Sequence, residues 1–245
     1  MIKIAALTDI GNVRKKNQDG FFVDGLSKNA KPLASIYYES NDDDFFAFVA
    51  DGVGSTNDAE FAVSELLLAA SMKKDLITTN SLQVFINDVN KQIIEKAKRQ
   101  GKQCACTVAG ILVQEDGVTV FNVGDSKVFV SNNGFLEQLS EDDTAETLIK
   151  KSNYLIDSVH SDGKLPLLQV IGSDAGVLDC HVTSGHPKND LIICTDGLTD
   201  MVSLDAMEEI VQENLPIQEK VEKLRVSAMS NGGDDNFTVI YVEFR

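Results

Sequence analysis

The sequence predicts an α+β fold: a four-layer α/β/β/α sandwich of two mostly antiparallel sheets flanked by helix pairs. Three observations carry this expectation. Asp116-Gly117 and Asn133-Gly134 stand between apolar runs, and such pairs mark hairpins, which join antiparallel strands. Helical patterns come in two pairs, 57–74 with 81–101 and 204–214 with 217–230, and each pair needs a sheet face to cover. Runs such as "FFAFVAD" and "DLIICTDG" are apolar almost throughout, as in strands buried on both faces.

The elements follow in order. "KIAALTDIG", "GFFVDG", "SIYYES" and "FFAFVAD" read as strands. In the first helix Ala59, Ala62, Leu66 and Ala69 share a face, Asn57 is placed to cap and lysines close the end. In the second, Ser81 is the expected cap, Val89, Ile93 and Ala97 form the stripe, and Gly101 ends it. A meander follows: "CACTVAGILVQ", "VTVFNVG", "SKVFVSN" and "FLEQLS". Residues 144–159 read as helical and 159–172 as an irregular loop. "DLIICTDG" is a buried strand, two helices divide at Pro216, and "NFTVIYVEF" closes the chain as a strand. With no linker, repeat or low-complexity tract, residues 1–245 are expected to form a single domain.

Composition narrows the function classes. The chain has 43% apolar and 24% charged residues, ordinary for a globular protein. Its net charge of −16 argues against nucleic acid and against an anionic membrane as partners. Cys104, Cys106, Cys180 and Cys194 show no C-x-x-C spacing and lie in apolar stretches. They read as reduced core thiols, which suits a cytoplasmic protein. The N-terminal "MIKIAALTDIG" lacks the flanks of a signal peptide, and no apolar run reaches the length of a membrane span.

The chemistry lies where strands end. Asp51 follows "FFAFVA", Asp125 follows "FNVG", and Asp196 follows "LIICT", with Asp200 a turn later. Asp234, Asp235 and Asn236 precede the last strand, and Asp19 precedes "GFFV". Each is an ordinary turn or cap residue when taken singly. Carboxylates gathered at one end of a sandwich would repel, raising their pKa values unless cations sat among them. Hard oxygen donors of this kind suit Mg²⁺ or Mn²⁺.

Six motifs, "GNVRKKNQDGFFV", "FVADGVGS", "CTVAGILV", "NVGDSKVFV", "LIICTDGLTDMV" and "GGDDNFTVIYV", resemble in order those of the metal-dependent protein phosphatase 2C family, across nearly the whole chain. The resemblance implies an Mg²⁺- or Mn²⁺-dependent phosphatase acting on phosphoserine and phosphothreonine proteins through two cations, with a third, weaker one, and a partner kinase. It implies that Asp51 bridges two cations while the Gly52 carbonyl ligates the second, that Asp196 and Asp235 complete the first, and that Asp125 and Asp196 share the third. Asp19 is implied to hold metal-bound water and Arg14 to bind the substrate phosphate. Asn236 is implied to support the site from behind the ligands. A flap aspartate would join the third cation, with Asp157 and Asp162 both candidates.

The chain also departs from the pattern. Gln18 stands where the family has Glu, Ser55 and Thr56 where bacterial members have Gly and His, and Lys127 where they have Arg. Gln18 still reaches a ligand water through its amide but adds no charge, so weaker binding of the second cation is expected. Gln18 and Thr56 also leave open an alternative: a catalytically weak or inactive member acting as a phosphoprotein-binding module. An unrelated metal hydrolase would need a different motif set, such as H-E-x-x-H, which is absent.

Overall fold

The computed structural model describes residues 1–41, 44–54, 58–115, 117–152, 166–174, 176–185 and 189–245. The first half runs through β1 (Ile2–Asp9), β2 (Gly20–Val23), β3 (Leu26–Asn29), β4 (Leu33–Ser40), β5 (Phe45–Ala50) and the short β6 (Gly52–Val53), then α1 (Ala59–Lys73) and α2 (Leu82–Gln100). There follow β7 (Ala105–Cys106), β8 (Val108–Gln114), β9 (Gly117–Val123), β10 (Lys127–Asn132), β11 (Phe135–Gln138) and α3 (Ala145–Lys151). The last part holds β12 (His181–Gly185), β13 (Leu191–Cys194), α4 (Asp196–Met201), α5 (Leu204–Gln212), α6 (Ile217–Ser230) and β14 (Phe237–Phe244).

Two six-stranded sheets form, in the orders β11-β10-β13-β14-β1-β4 and β12-β9-β8-β5-β2-β3. Neighbouring strands in both are antiparallel, as the hairpin signals predict. Three apolar cores separate four layers. β5 shows how one strand serves two of them. Phe45, Ala47 and Val49 point between the sheets, joining Ile4, Ile111 and Ile240. Phe46, Phe48 and Ala50 point the other way, against Leu66 of α1 and Ile86 of α2. Each buried phenylalanine contributes about 1.5–3 kcal/mol through lost water contact. On the far side, Leu7, Val239 and Tyr241 of the other sheet pack against Met207, Val211 and Leu224 of α5 and α6. The expected four-layer sandwich is what forms.

The helix stripes match expectation: Ala59, Ala62, Leu66 and Ala69 are buried, as are Val89, Ile93 and Ala97. Gly101 ends α2 in the left-handed conformation, at φ 65°. Ser81 precedes α2 but does not cap it with its side chain. Its hydroxyl instead accepts from the Thr78 N–H, 2.8 Å away. β3, β12 and α4 are elements the sequence did not announce. Asn57, Asp116, and the expected helical and loop residues 153–165 lie outside the described residues. All four cysteines are free and buried, and burial pushes the Cys194 thiol up to about 12. Among the described residues, no helix is long and apolar enough to cross a membrane.

Candidate active site

Strand register brings the aspartates together. Gly20 pairs with Ala50, so Asp19 before β2 and Asp51 after β5 stand side by side. Val108 pairs with Val123, ending β9 at the same edge two residues before Asp125. In the facing sheet, Cys194 pairs with Lys127 on one side and Val239 on the other. Phe237 pairs with Asp9. Asp196 and Asp235 therefore fall at the corresponding edge. These loops enclose a cleft of about 410 Å³ lined by Arg14, Gln18, Gly52 and Asn236 and by the carboxylates of Asp51, Asp125, Asp196 and Asp235. Asp19 does not line this cleft; it is 1% exposed.

The local chain explains the close approach. A Cβ on Gly197 would stand 1.9 Å from the Asn236 carbonyl oxygen. Only a glycine after Asp196 lets β13 and β14 deliver Asp196 and Asp235 together. A Cβ on Gly52 would meet the Gln18 carbonyl oxygen at 2.8 Å. Asn236 holds the β1–β2 loop from within: its Oδ1 accepts from the Gln18 N–H at 2.8 Å, and its Nδ2 donates to the Ile10 and Lys16 carbonyls at 2.9 and 3.0 Å. That loop carries Arg14, whose Nη2 donates to Asp235 Oδ2 at 2.5 Å. Lys127 donates to the Asp125 carbonyl at 2.9 Å and to Asp142 Oδ2 at 2.6 Å, so this departure from the family pattern braces the loop.

Charge is concentrated and poorly solvated. Burial raises Asp19 to about 7, although Thr195 and Thr238 hydroxyls hold its Oδ2 at 2.9 and 3.0 Å. Asp51 is held well above the usual carboxylate range, first by desolvation and then by Asp19 and Asp196. Asp51 still reaches the cleft surface, while its backbone is locked by Thr107: the Thr107 N–H donates to the Asp51 carbonyl at 2.8 Å. Asp19 Oδ1 is buried and has no hydrogen-bond partner among the described residues. Such an atom is costly unless something meets it.

Among the described residues, no three acidic, His or Cys side chains converge tightly enough to form a ready-made metal cage. Mg²⁺ does not need one, since it takes one or two carboxylates and keeps several waters. The partnerless Asp19 oxygen, the strained charge on Asp51 and the all-oxygen donor set fit a divalent cation. The sequence reading missed Thr8, Asn17, Thr107, Thr195 and Thr238, the buried polar residues behind the carboxylates. Their signal is weak: a threonine at the end of an apolar strand. Ser55, Thr56, Asp157 and Asp162 lie outside the described residues.

A family model described as Protein phosphatase 2C matches residues 34–229. Serine/threonine phosphatase stp of Listeria monocytogenes is 28% identical over 96% of this chain and 93% of its own length. The serine/threonine phosphatase of S. agalactiae superposes with a TM-score of 0.82 over 100% of both chains, at 22% identity. The catalytic domain of the phosphatase PstP, solved with 2 manganese ions, superposes with a TM-score of 0.73 over 99% of each chain, at 20% identity.

Proposed function

The chain belongs to the protein phosphatase 2C family, and on that premise we propose that it is a divalent-metal-dependent serine/threonine phosphoprotein phosphatase. The observation that carries the reading is the meeting of Asp51, Asp125, Asp196 and Asp235 with Arg14 in one cleft. Its substrates are phosphoserine and phosphothreonine proteins, so a protein kinase must supply them. The manganese in the PstP structure supports the choice of metal.

Asp51 with the Gly52 carbonyl, Asp196 and Asp235 would hold two Mg²⁺ or Mn²⁺ ions, and Asp125 with Asp196 would hold a third. When bound, the ions supply Lewis acidity and a water of lowered pKa. The chain's residues supply position. Asp19 stands behind the cleft beside Asp51, with Oδ2 fixed by Thr195 and Thr238 and Oδ1 unpartnered among the described residues, so that Oδ1 would accept a hydrogen bond from a cation-bound water. Arg14 presents a planar fork to the phosphoryl oxygens, and its tie to Asp235 sets the fork over the carboxylates. Asn236 keeps Arg14 and Gln18 in register with β14. Gln18 leaves one cation with less negative charge than a glutamate would. The attack is in line, on the phosphorus of a monoester, and needs no covalent intermediate. The whole chain, 1–245, is read as one catalytic domain.

A phosphothreonine peptide assay tests this reading. Phosphate release should require Mn²⁺ and cease with excess chelator; undiminished release in chelator would overturn it.

A further inference from the structure

Asp143 lies outside the cleft, just before α3, and is 6% exposed. It makes more contacts than a turn residue needs. Its Oδ2 accepts from the Gly124 N–H at 2.8 Å, and its own N–H donates to the Gly124 carbonyl at 2.9 Å. Gly124 is thus clamped on both sides, and it is the residue before Asp125. From the interior the same loop is fixed by Thr107, whose hydroxyl lies 2.7 Å from that of Ser126.

The other half of Asp143 faces a second wall of the cleft. Its Oδ1 accepts from Gln169 Nε2 at 3.0 Å and meets His181 Nε2 at 2.7 Å. Its carbonyl accepts from the Leu168 N–H at 2.7 Å. Leu167, next in chain, lines the cleft and bridges to Thr144. One buried carboxylate therefore joins the Asp125 loop, the 167–169 wall and the edge strand β12. Gly124 and Gln169 present donors to it, and His181 Nε2 lies within hydrogen-bond distance of the same carboxylate. An asparagine at this place would turn an amide N–H₂ toward at least one donor.

We propose that Asp143 is a positioning residue that locks Asp125 to the 167–169 wall and so sets how tightly the cleft holds the cation beside Asp125. The proposal rests on the phosphatase reading above. It assigns to Asp143 a function through Asp125, not contact with substrate.

Mn²⁺ binding followed by the electron-spin resonance of the free ion tests it without turnover. Asp143→Asn should weaken the Asp125-dependent binding by roughly 10- to 100-fold, the usual effect of losing a residue that orients a ligand. Asp125→Ala should abolish the same binding, and adding Asp143→Asn to it should cost nothing more. Hydrogen exchange should rise together in segments 120–128 and 166–172. Asp190→Asn, which removes a half-buried acid bonded to Tyr241 at 2.8 Å on other elements, should lower stability and leave Mn²⁺ binding unchanged. A folded Asp143→Asn protein with the wild-type isotherm and wild-type exchange would overturn the proposal, as would Asp125→Ala leaving binding intact. If Asp143→Asn does not fold, Gln169→Ala and His181→Ala carry the test, each removing one hold on Oδ1; unchanged binding in both overturns it. Wild-type protein that binds no Mn²⁺ and hydrolyses no phosphopeptide would sink the phosphatase reading itself. An active wild type with a normal Asp143→Asn variant would sink this proposal alone.

Discussion

The Thr195 hydroxyl donates to Asp19 Oδ2 across 2.9 Å, and that bond ties the two sheets together at the end where the carboxylates gather. Thr195 follows β13 in one sheet, and Asp19 precedes β2 in the other. The Thr195 hydroxyl oxygen also accepts from the Thr238 N–H at 2.9 Å. A small buried side chain thus satisfies a carboxylate and a backbone donor at once.

Thr195→Val keeps the shape and removes both interactions. It leaves a buried N–H and a buried carboxylate oxygen short of a partner, which should cost about 1–3 kcal/mol. Urea denaturation checks this, and an unchanged midpoint would contradict it.

Gly197→Ala should be more damaging than its size suggests. The new Cβ has no room beside the Asn236 carbonyl, so backbone must shift at a cost of roughly 1–3 kcal/mol. Because the shift moves Asp196 against Asp235, activity should fall along with the thermal midpoint. A protein with wild-type activity and midpoint would show that the close approach is not needed.

Arg14 serves both as a partner of Asp235 and as the proposed phosphate fork. Arg14→Ala should lower kcat/KM by tenfold to a hundredfold, equivalent to the roughly 1.5–3 kcal/mol of one charge-assisted hydrogen bond. Arg14→Lys should recover little, since an ammonium cannot reproduce the fork. Full recovery by lysine would reduce the role of Arg14 to charge alone.

Gln18 lies at the cleft with its N–H held by Asn236. Gln18→Glu adds a negative charge there. A gain of about 1 kcal/mol from one more charge near a cation should lower the half-activating Mn²⁺ concentration roughly fivefold. An unchanged or higher requirement would mean that this position does not sense the metal.

Much of this was legible in the sequence, for a physical reason. Strands covered on both faces, such as β5 and β13, must be apolar throughout, so an aspartate one or two residues after them stands out. Register then does the rest, since antiparallel neighbours begin where their partners end. Other parts left no local mark. β12 is an edge strand with a polar sequence and exposed positions, so it shows no alternation to read. α4 has only six residues and opens on Asp196, whose following glycine reads as a turn. The supports of Asp19 come from Thr195 and Thr238, distant in sequence and joined to it only by the fold. In sequence Asp143 is one of three consecutive acids, Glu141, Asp142 and Asp143; its burial and its donors belong to the fold alone.

The central claim is that the carboxylates around Asp51 hold the metals that run phosphoester hydrolysis. The direct measurement compares wild-type and Asp51→Asn turnover of one phosphothreonine peptide in saturating Mn²⁺, with folding checked by circular dichroism. Loss of activity on the order of 10²–10³-fold in a folded variant is the predicted result. Turnover equal to wild type in the folded Asp51→Asn protein would contradict the account.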